Sequence, residues 1–198
     1  MTYQNSKSIN KKNTAGFTLI EMLVVIIIFC LLVVAIIGVF VSVLRIQRYY
    51  LASQQLLNET SYVMEYMGRF IRMAQKDSAG NCITQGTNYY PQLDNSSDSL
   101  KFLNYRSQCQ EFYLGDEDEI PSATGTILYQ KINDENILPL TSDGIEIKKL
   151  NFCIRGGDQG NQSQPRVTIY LEAEAVNSNP RPKIKIQTTI SQRELDIY

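Results

Sequence analysis

The 198-residue sequence predicts an α+β fold, one long N-terminal helix packed on an antiparallel β-sheet head. Three observations predict it. The 23 residues from Met22 to Leu44 carry no charge, the stretch from Gln47 to Lys76 keeps an apolar stripe at helical spacing, and the chain beyond Gly80 alternates apolar and polar residues in short runs. A helix followed by strands, rather than the two in alternation, segregates the layers and leaves the sheet to bury one face against the helix.

As a helix, the uncharged run covers ~34 Å at a rise of ~1.5 Å per residue, enough to cross a bilayer core. Residues 1–16 precede it with Lys7, Lys11 and Lys12 and no acid. The positive-inside tendency therefore keeps this leader cytoplasmic and places everything after Arg45 outside. Glu21 sits at the mouth of the span. A carboxylate in hydrocarbon is unfavourable by roughly 2.5 to 3.5 kcal/mol at the centre of a span and by less near its edge, so Glu21 calls for a cation. Lys12 lies nine residues away, out of reach of an i,i+4 pair. Cutting the chain after Gly16 would supply one, because the free amine created on Phe17 could pair with Glu21 of a neighbouring helix.

Gly16-Phe17-Thr18-Leu19-Ile20-Glu21, followed by the apolar helix, resembles the class III signal of type IV pilins and type II secretion pseudopilins. The resemblance covers about the first 45 residues. It implies that a prepilin peptidase cuts between Gly16 and Phe17 and methylates the new Phe17 amine, with Thr18, Leu19 and Ile20 completing the signal. It also implies a pilin-like fold whose partners are other pilin or pseudopilin subunits, the peptidase, and an inner-membrane assembly platform with its ATPase. Pilins often carry a proline within the apolar segment; this chain has Gly38 at about that place, and glycine weakens a helix by roughly 0.8 to 1 kcal/mol relative to alanine.

Other readings of the segment fit less well. A secretory signal has an apolar core of ~7 to 15 residues, shorter than this one. A lipoprotein signal needs a small residue before its cysteine, whereas Phe29 precedes Cys30. A plain single-pass anchor would leave Glu21 at the headgroup level.

Past the span, Leu56, Leu57, Val63, Met64, Met67, Phe70, Ile71 and Ala74 recur at spacings that mark one buried stripe, opposite Gln54, Asn58, Glu65, Arg69 and Arg72. Gly68 suits a close contact. A glycine stop near Asp77-Ser78-Ala79-Gly80 predicts the helix end. The expected organisation is a leader over 1–16, a membrane or filament-core helix over 17–44, its amphipathic continuation over 45–79 and a β-rich head over 80–198. Tyr49-Tyr50, just beyond Arg45 and Arg48, fits an interfacial belt.

In the head, strands are expected at Ser99–Tyr105, Glu111–Leu114, Thr126–Lys131 and Ile145–Ile154. Val167, Ile169, Leu171, Ala173 and Ala175 alternate with polar neighbours, the turn Asn177-Ser178-Asn179-Pro180 follows, and Ile184, Ile186, Thr188 and Ile190 alternate back. That is an antiparallel hairpin. The strand order, with Arg166-Val167-Thr168-Ile169 and the closing run Gln187 to Arg193, resembles minor pilins and minor pseudopilins.

Cys30 lies in the span, leaving Cys82, Cys109 and Cys153 in a compartment where disulfides persist. Cys82 follows the helix and Cys109 follows a strand, so Cys82–Cys109 is the preferred bridge. A pairing through Cys153, or three free thiols, are the alternatives. No spacing matches a zinc or redox motif, and the chain contains no histidine, the commonest metal ligand and general base. No catalytic, metal or cofactor site is therefore expected. The acidic run Asp116-Glu117-Asp118-Glu119 lacks the alternation of a calcium loop and, like the polar stretch Asp158–Pro165, reads as solvated loop.

The expected function is a structural subunit: a minor pilin, held in the cytoplasmic membrane until cleavage after Gly16 and then drawn into a surface filament, with Glu21 setting subunit register. A minor pseudopilin of a type II secretion system is the alternative within the family. From another class, a membrane-anchored surface binding module would recognise an adhesion ligand or DNA. DNA is not expected as a primary partner, since the cations after residue 80 are dispersed except for Arg181, Lys183 and Lys185.

Overall fold

The computed structural model describes residues 16–90, 98–115, 126–133, 136–157 and 164–193. The leader lysines Lys7, Lys11 and Lys12, the acidic run 116–119 and most of the polar stretch 158–165 lie outside them. The chain divides into two compact units, Met1–Arg45 and Ile46–Tyr198. Among the described residues one helix and seven strands follow in the order α1 (Leu19–Arg72), β1 (Leu100–Leu103), β2 (Cys109–Gly115), β3 (Ile127–Ile132), β4 (Asn136–Pro139), β5 (Ile145–Arg155), β6 (Arg166–Ala175) and β7 (Lys183–Ser191).

In the first unit α1 is apolar on all sides and its residues are exposed, apart from a half-buried Val33, and the helix runs through Gly38 without interruption. A helix with no polar face has no core of its own to cover and belongs in lipid or among like helices. It is long and apolar enough to cross a membrane.

In the second unit α1 becomes one-sided. Leu56, Thr60, Val63, Met64, Met67 and Ile71 are buried, and Gln54, Asn58, Glu65, Arg69 and Arg72 face solvent. Leu57, expected in the stripe, is instead 46% exposed, and Phe70 is only partly buried. Thr60 takes an inward position by donating its hydroxyl to the Leu56 carbonyl at 2.6 Å, which satisfies a polar group that would otherwise be buried unpaired. A β-methyl on Gly68 would come within 3.3 Å of Ile190 Cδ1, so this glycine lets α1 and β7 approach closely.

The helix ends at Arg72, earlier than the glycine at 80 implies. Tertiary bonds take over the last carbonyls. Met73 N–H bonds to both Arg69 and Phe70 oxygens, Arg193 N–H donates to the Arg72 oxygen at 2.9 Å, Gln192 Nε2 to that of Ala74 at 2.7 Å, and Tyr89 Oη to that of Ile71 at 2.8 Å. Gln75 N–H then bonds to Leu103 oxygen at 2.8 Å, joining the edge of β1. A helix end whose carbonyls are claimed by neighbouring elements needs no glycine cap.

The strands form two antiparallel sheets, β1-β2-β3-β4 and β5-β6-β7, where the sequence pattern implied a single meander. The division has a local cause. β4 occupies the edge of β3 from Tyr129 to Ile132, so β5 reaches β3 only at its start, where Ile147 N–H bonds to the Thr126 oxygen at 2.9 Å. β5 then shifts register between Ile147 and Lys149 and pairs along its length with β6. The hairpin of β6 and β7 is in place, with Val167 opposite Ile190 and Ala173 opposite Ile184. A common core joins the inward face of α1 to Phe102, Phe112, Ile147, Phe152, Val167, Ile169 and Leu171.

Candidate functional site

Gly16, Phe17 and Thr18 lie before the helix, which opens at Leu19. Thr18 is its N-cap. The Thr18 carbonyl accepts from the N–H groups of Glu21 at 3.1 Å and Met22 at 3.3 Å, and its Oγ1 accepts from Glu21 N–H at 3.3 Å. A threonine hydroxyl on the N–H three residues ahead satisfies one of the four donors that a helix start leaves unpaired. Thr18 and Glu21 stand at the spacing of a capping box, a signal visible in the sequence that the processing motif had obscured.

Gly16 has nothing within 4 Å of where a β-carbon would stand, and Phe17 is 77% exposed. Leu19 and Ile20 are exposed on the first turn. Glu21 lies in that turn, where the helix dipole favours an anion, and among the described residues it forms no ion pair. The Gly16–Phe17 bond, the capping hydroxyl of Thr18 and a carboxylate without an ion pair among the described residues are thus gathered within six residues.

In the second unit Cys82 and Cys109 form a disulfide with their Cα atoms 5.3 Å apart, tying the connection after α1 to the start of β2. Cys153 is a half-buried free thiol on β5 and Cys30 an exposed one on α1. Asp77 organises the same connection. Its Oδ1 accepts from Gly80 N–H at 2.7 Å and Ala79 at 3.2 Å, and its Oδ2 from Cys82 at 2.7 Å and Ile83 at 3.0 Å. Burial pushes this carboxyl up, but the main-chain donors of Ile83, Cys82, Gly80 and Asn81 outweigh it and hold the pKa at about 2.

The bunched cations of the last hairpin are neutralised by β6. Lys183 lies 3.0 Å from Glu174, Lys185 3.2 Å from Glu172, and Arg181 4.0 Å from Glu174. The hydrogen bond from Lys183 holds the Glu174 carboxyl below the usual range, and that to Glu172 raises Lys185. Cations paired in this way offer little charge to a phosphate backbone. Among the described residues no group of three His, Cys, Asp or Glu side chains is placed to hold a metal ion.

The N-terminal constellation matches a known family model, the prokaryotic N-terminal methylation motif, over residues 11–37. The match is confined to the N-terminal segment, and it supports a precursor of the type IV pilin and pseudopilin kind. No curated protein and no solved structure matches the chain. The motif points to a structural subunit that assembles with other pilin-type subunits and is a substrate of prepilin peptidase. One long apolar helix followed by antiparallel sheets accords with the pilin fold.

Proposed function

We propose that this protein is a minor pilin of a type IV pilus, cut after Gly16, methylated on the Phe17 amine and built into a filament through its apolar helix. The observation that carries this reading is the Glu21 carboxylate, without an ion pair among the described residues, at the start of a helix whose sides are apolar and exposed. In lipid such a group is tolerated near the interface; in a core of packed helices it is strongly unfavourable unless a cation meets it. The amine released at Phe17 supplies that cation, and in packed helices it pairs with Glu21 of a neighbouring subunit and sets their axial register.

Before assembly the subunit rests in the cytoplasmic membrane with its leader inside and its head outside. An assembly platform and its ATPase then draw it into the filament, where its helix exchanges lipid for neighbouring helices. The minor role is supported by the resemblance of the closing strands to minor subunits. The protein performs no catalysis of its own in this reading, and it binds no cofactor.

Mass spectrometry of filaments sheared from cells, set against the remaining envelope, tests the proposal. A peptide beginning at Phe17 with one added methyl, at low abundance in sheared filaments beside a dominant pilin, is the expected result. The processed form confined to the envelope would instead make the chain a secretion pseudopilin. An uncut chain would return it to the class of anchored binding modules.

A further inference from the structure

We propose that Thr18 is a positioning residue for leader removal: as N-cap of α1 it starts the helix at Leu19, two residues after Phe17, and so keeps the Gly16–Phe17 peptide bond out of the helix. The inference rests on the reading of this chain as a peptidase substrate. Hydrolysis adds the oxygen of water to the Gly16 carbonyl carbon, breaks the bond to Phe17 nitrogen and leaves that nitrogen protonated as the new terminal amine. The carbonyl under attack must be reachable and free of a helical hydrogen bond.

The geometry shows how the chain arranges this. Thr18 supplies the first carbonyl of the helix, and its hydroxyl claims the Glu21 N–H. Without that hydroxyl, the donors at the helix start find acceptors by adding a turn, with Ile20 N–H bonding to the Gly16 oxygen and Glu21 N–H to the Phe17 oxygen. An apolar environment favours that extension, because a main-chain donor left unpaired there is costly. The added turn would bury the scissile carbonyl in a helical bond. With Thr18 in place, Gly16 stays exposed and uncrowded.

The cap uses the main-chain N–H of Glu21 and not its carboxylate. Cleavage and register setting are therefore separable: changing the Glu21 side chain leaves the cap whole, whereas changing the Thr18 side chain does not.

The test uses full-length precursor in membrane vesicles with a prepilin peptidase, reading initial cleavage rates of wild type, Thr18→Val, Thr18→Ser, Thr18→Asn and Glu21→Ala. Valine keeps the shape of threonine and loses the hydroxyl. The expected result is cleavage about fivefold slower for Thr18→Val, the fold-change that corresponds to the ~1 kcal/mol typical of a lost cap. Serine and asparagine cap as threonine does and restore the rate to within about twofold, and Glu21→Ala is cut as wild type is. Equal rates for valine and threonine, or an asparagine variant as slow as valine, would overturn the inference, the second by showing that the peptidase reads the threonine itself. Cα chemical shifts of residues 16–18 in micelles give a readout independent of cleavage, with a move toward helical values expected in Thr18→Val alone. Wild-type precursor left uncut would defeat the functional reading, while the shifts would still decide whether Thr18 sets the helix start.

Discussion

Asp77 and Glu21 are both carboxylates near a helix terminus, and their surroundings set them to opposite tasks. Asp77 is 2% exposed and satisfied by four main-chain donors, so its charge is spent on holding a loop. Its folded pKa of about 2 lies below the ordinary aspartate value of 3.8, so its contribution is complete above pH ~4 and is lost as pH falls from there toward 2. Asp77→Asn should lower stability at pH 7 by about 1 to 3 kcal/mol, since an amide replaces two acceptors with one acceptor and a donor that faces N–H groups. Urea midpoints for both proteins between pH 7 and pH 2.5 should converge below pH 4; a constant gap would mean that the carboxylate charge is not what holds the loop. Glu21 has no partner within its own described chain and stands ready for one outside it. Glu21→Ala is accordingly expected to be processed but poorly incorporated into filaments, by tenfold or more if the buried amine it leaves behind costs about 1.4 kcal/mol or above. Immunoblots of sheared filaments against membranes check this, and normal incorporation would remove the pairing role.

At the scale of elements, the connection from α1 to β1 is the least regular part of the head and the most heavily tied. Asp77 gathers its first turn, the Cys82–Cys109 disulfide fixes it to β2, and Tyr90 exchanges two hydrogen bonds with Lys101 of β1. Replacing both bridged cysteines with serine should cost about 2 to 4 kcal/mol, the usual range for a native disulfide, and should loosen this connection first. Hydrogen exchange would show it as early loss of protection at Cys82, Ile83 and Tyr90, with β6 protected until global unfolding; uniform loss would mean that the connection is not a separate unit. The elements that sequence displayed plainly are those whose period is set by one buried face. The alternation in β6 and β7 and the spacing of Val63, Met67 and Ile71 are of this kind. What it hid was decided by neighbours. β4 is a fully exposed edge of four residues ending in Pro139, without alternation to mark it, and it exists because β3 offers a free edge. Leu57 has helical spacing yet falls just outside the covered face, and the end of α1 is set by Gln75, Gln192 and Arg193, residues far apart in sequence. The cap at Thr18 was legible from Thr18 and Glu21 three residues apart, but the processing motif at the same positions explains both residues without it.

At the scale of the molecule, the two units divide the hydrophobic residues by use. The buried apolar side chains, from Leu56 to Ile190, belong to Ile46–Tyr198, while the apolar residues from Phe17 to Leu44 are exposed or, for Val33, half-buried. Apolar surface buried on folding stabilises by roughly 25 cal/mol per Å², and among the described residues of the first unit almost none is buried within the chain. Its stabilisation must come from lipid or from other subunits. Removing residues 1–45 should therefore take away a membrane anchor without taking away any of the head's core. A fragment spanning 46–198 is expected to be soluble, with its disulfide formed, and to melt in one cooperative transition within about 4 °C of the head in the full chain, corresponding to a change of less than ~1 kcal/mol at this size. Circular dichroism of the fragment in buffer and of the full chain in micelles makes the comparison. A fragment that melts broadly, or far below the full chain, would mean that the apolar half of α1 supports the fold of the head, and the division between a part that assembles and a part that folds would have to be given up.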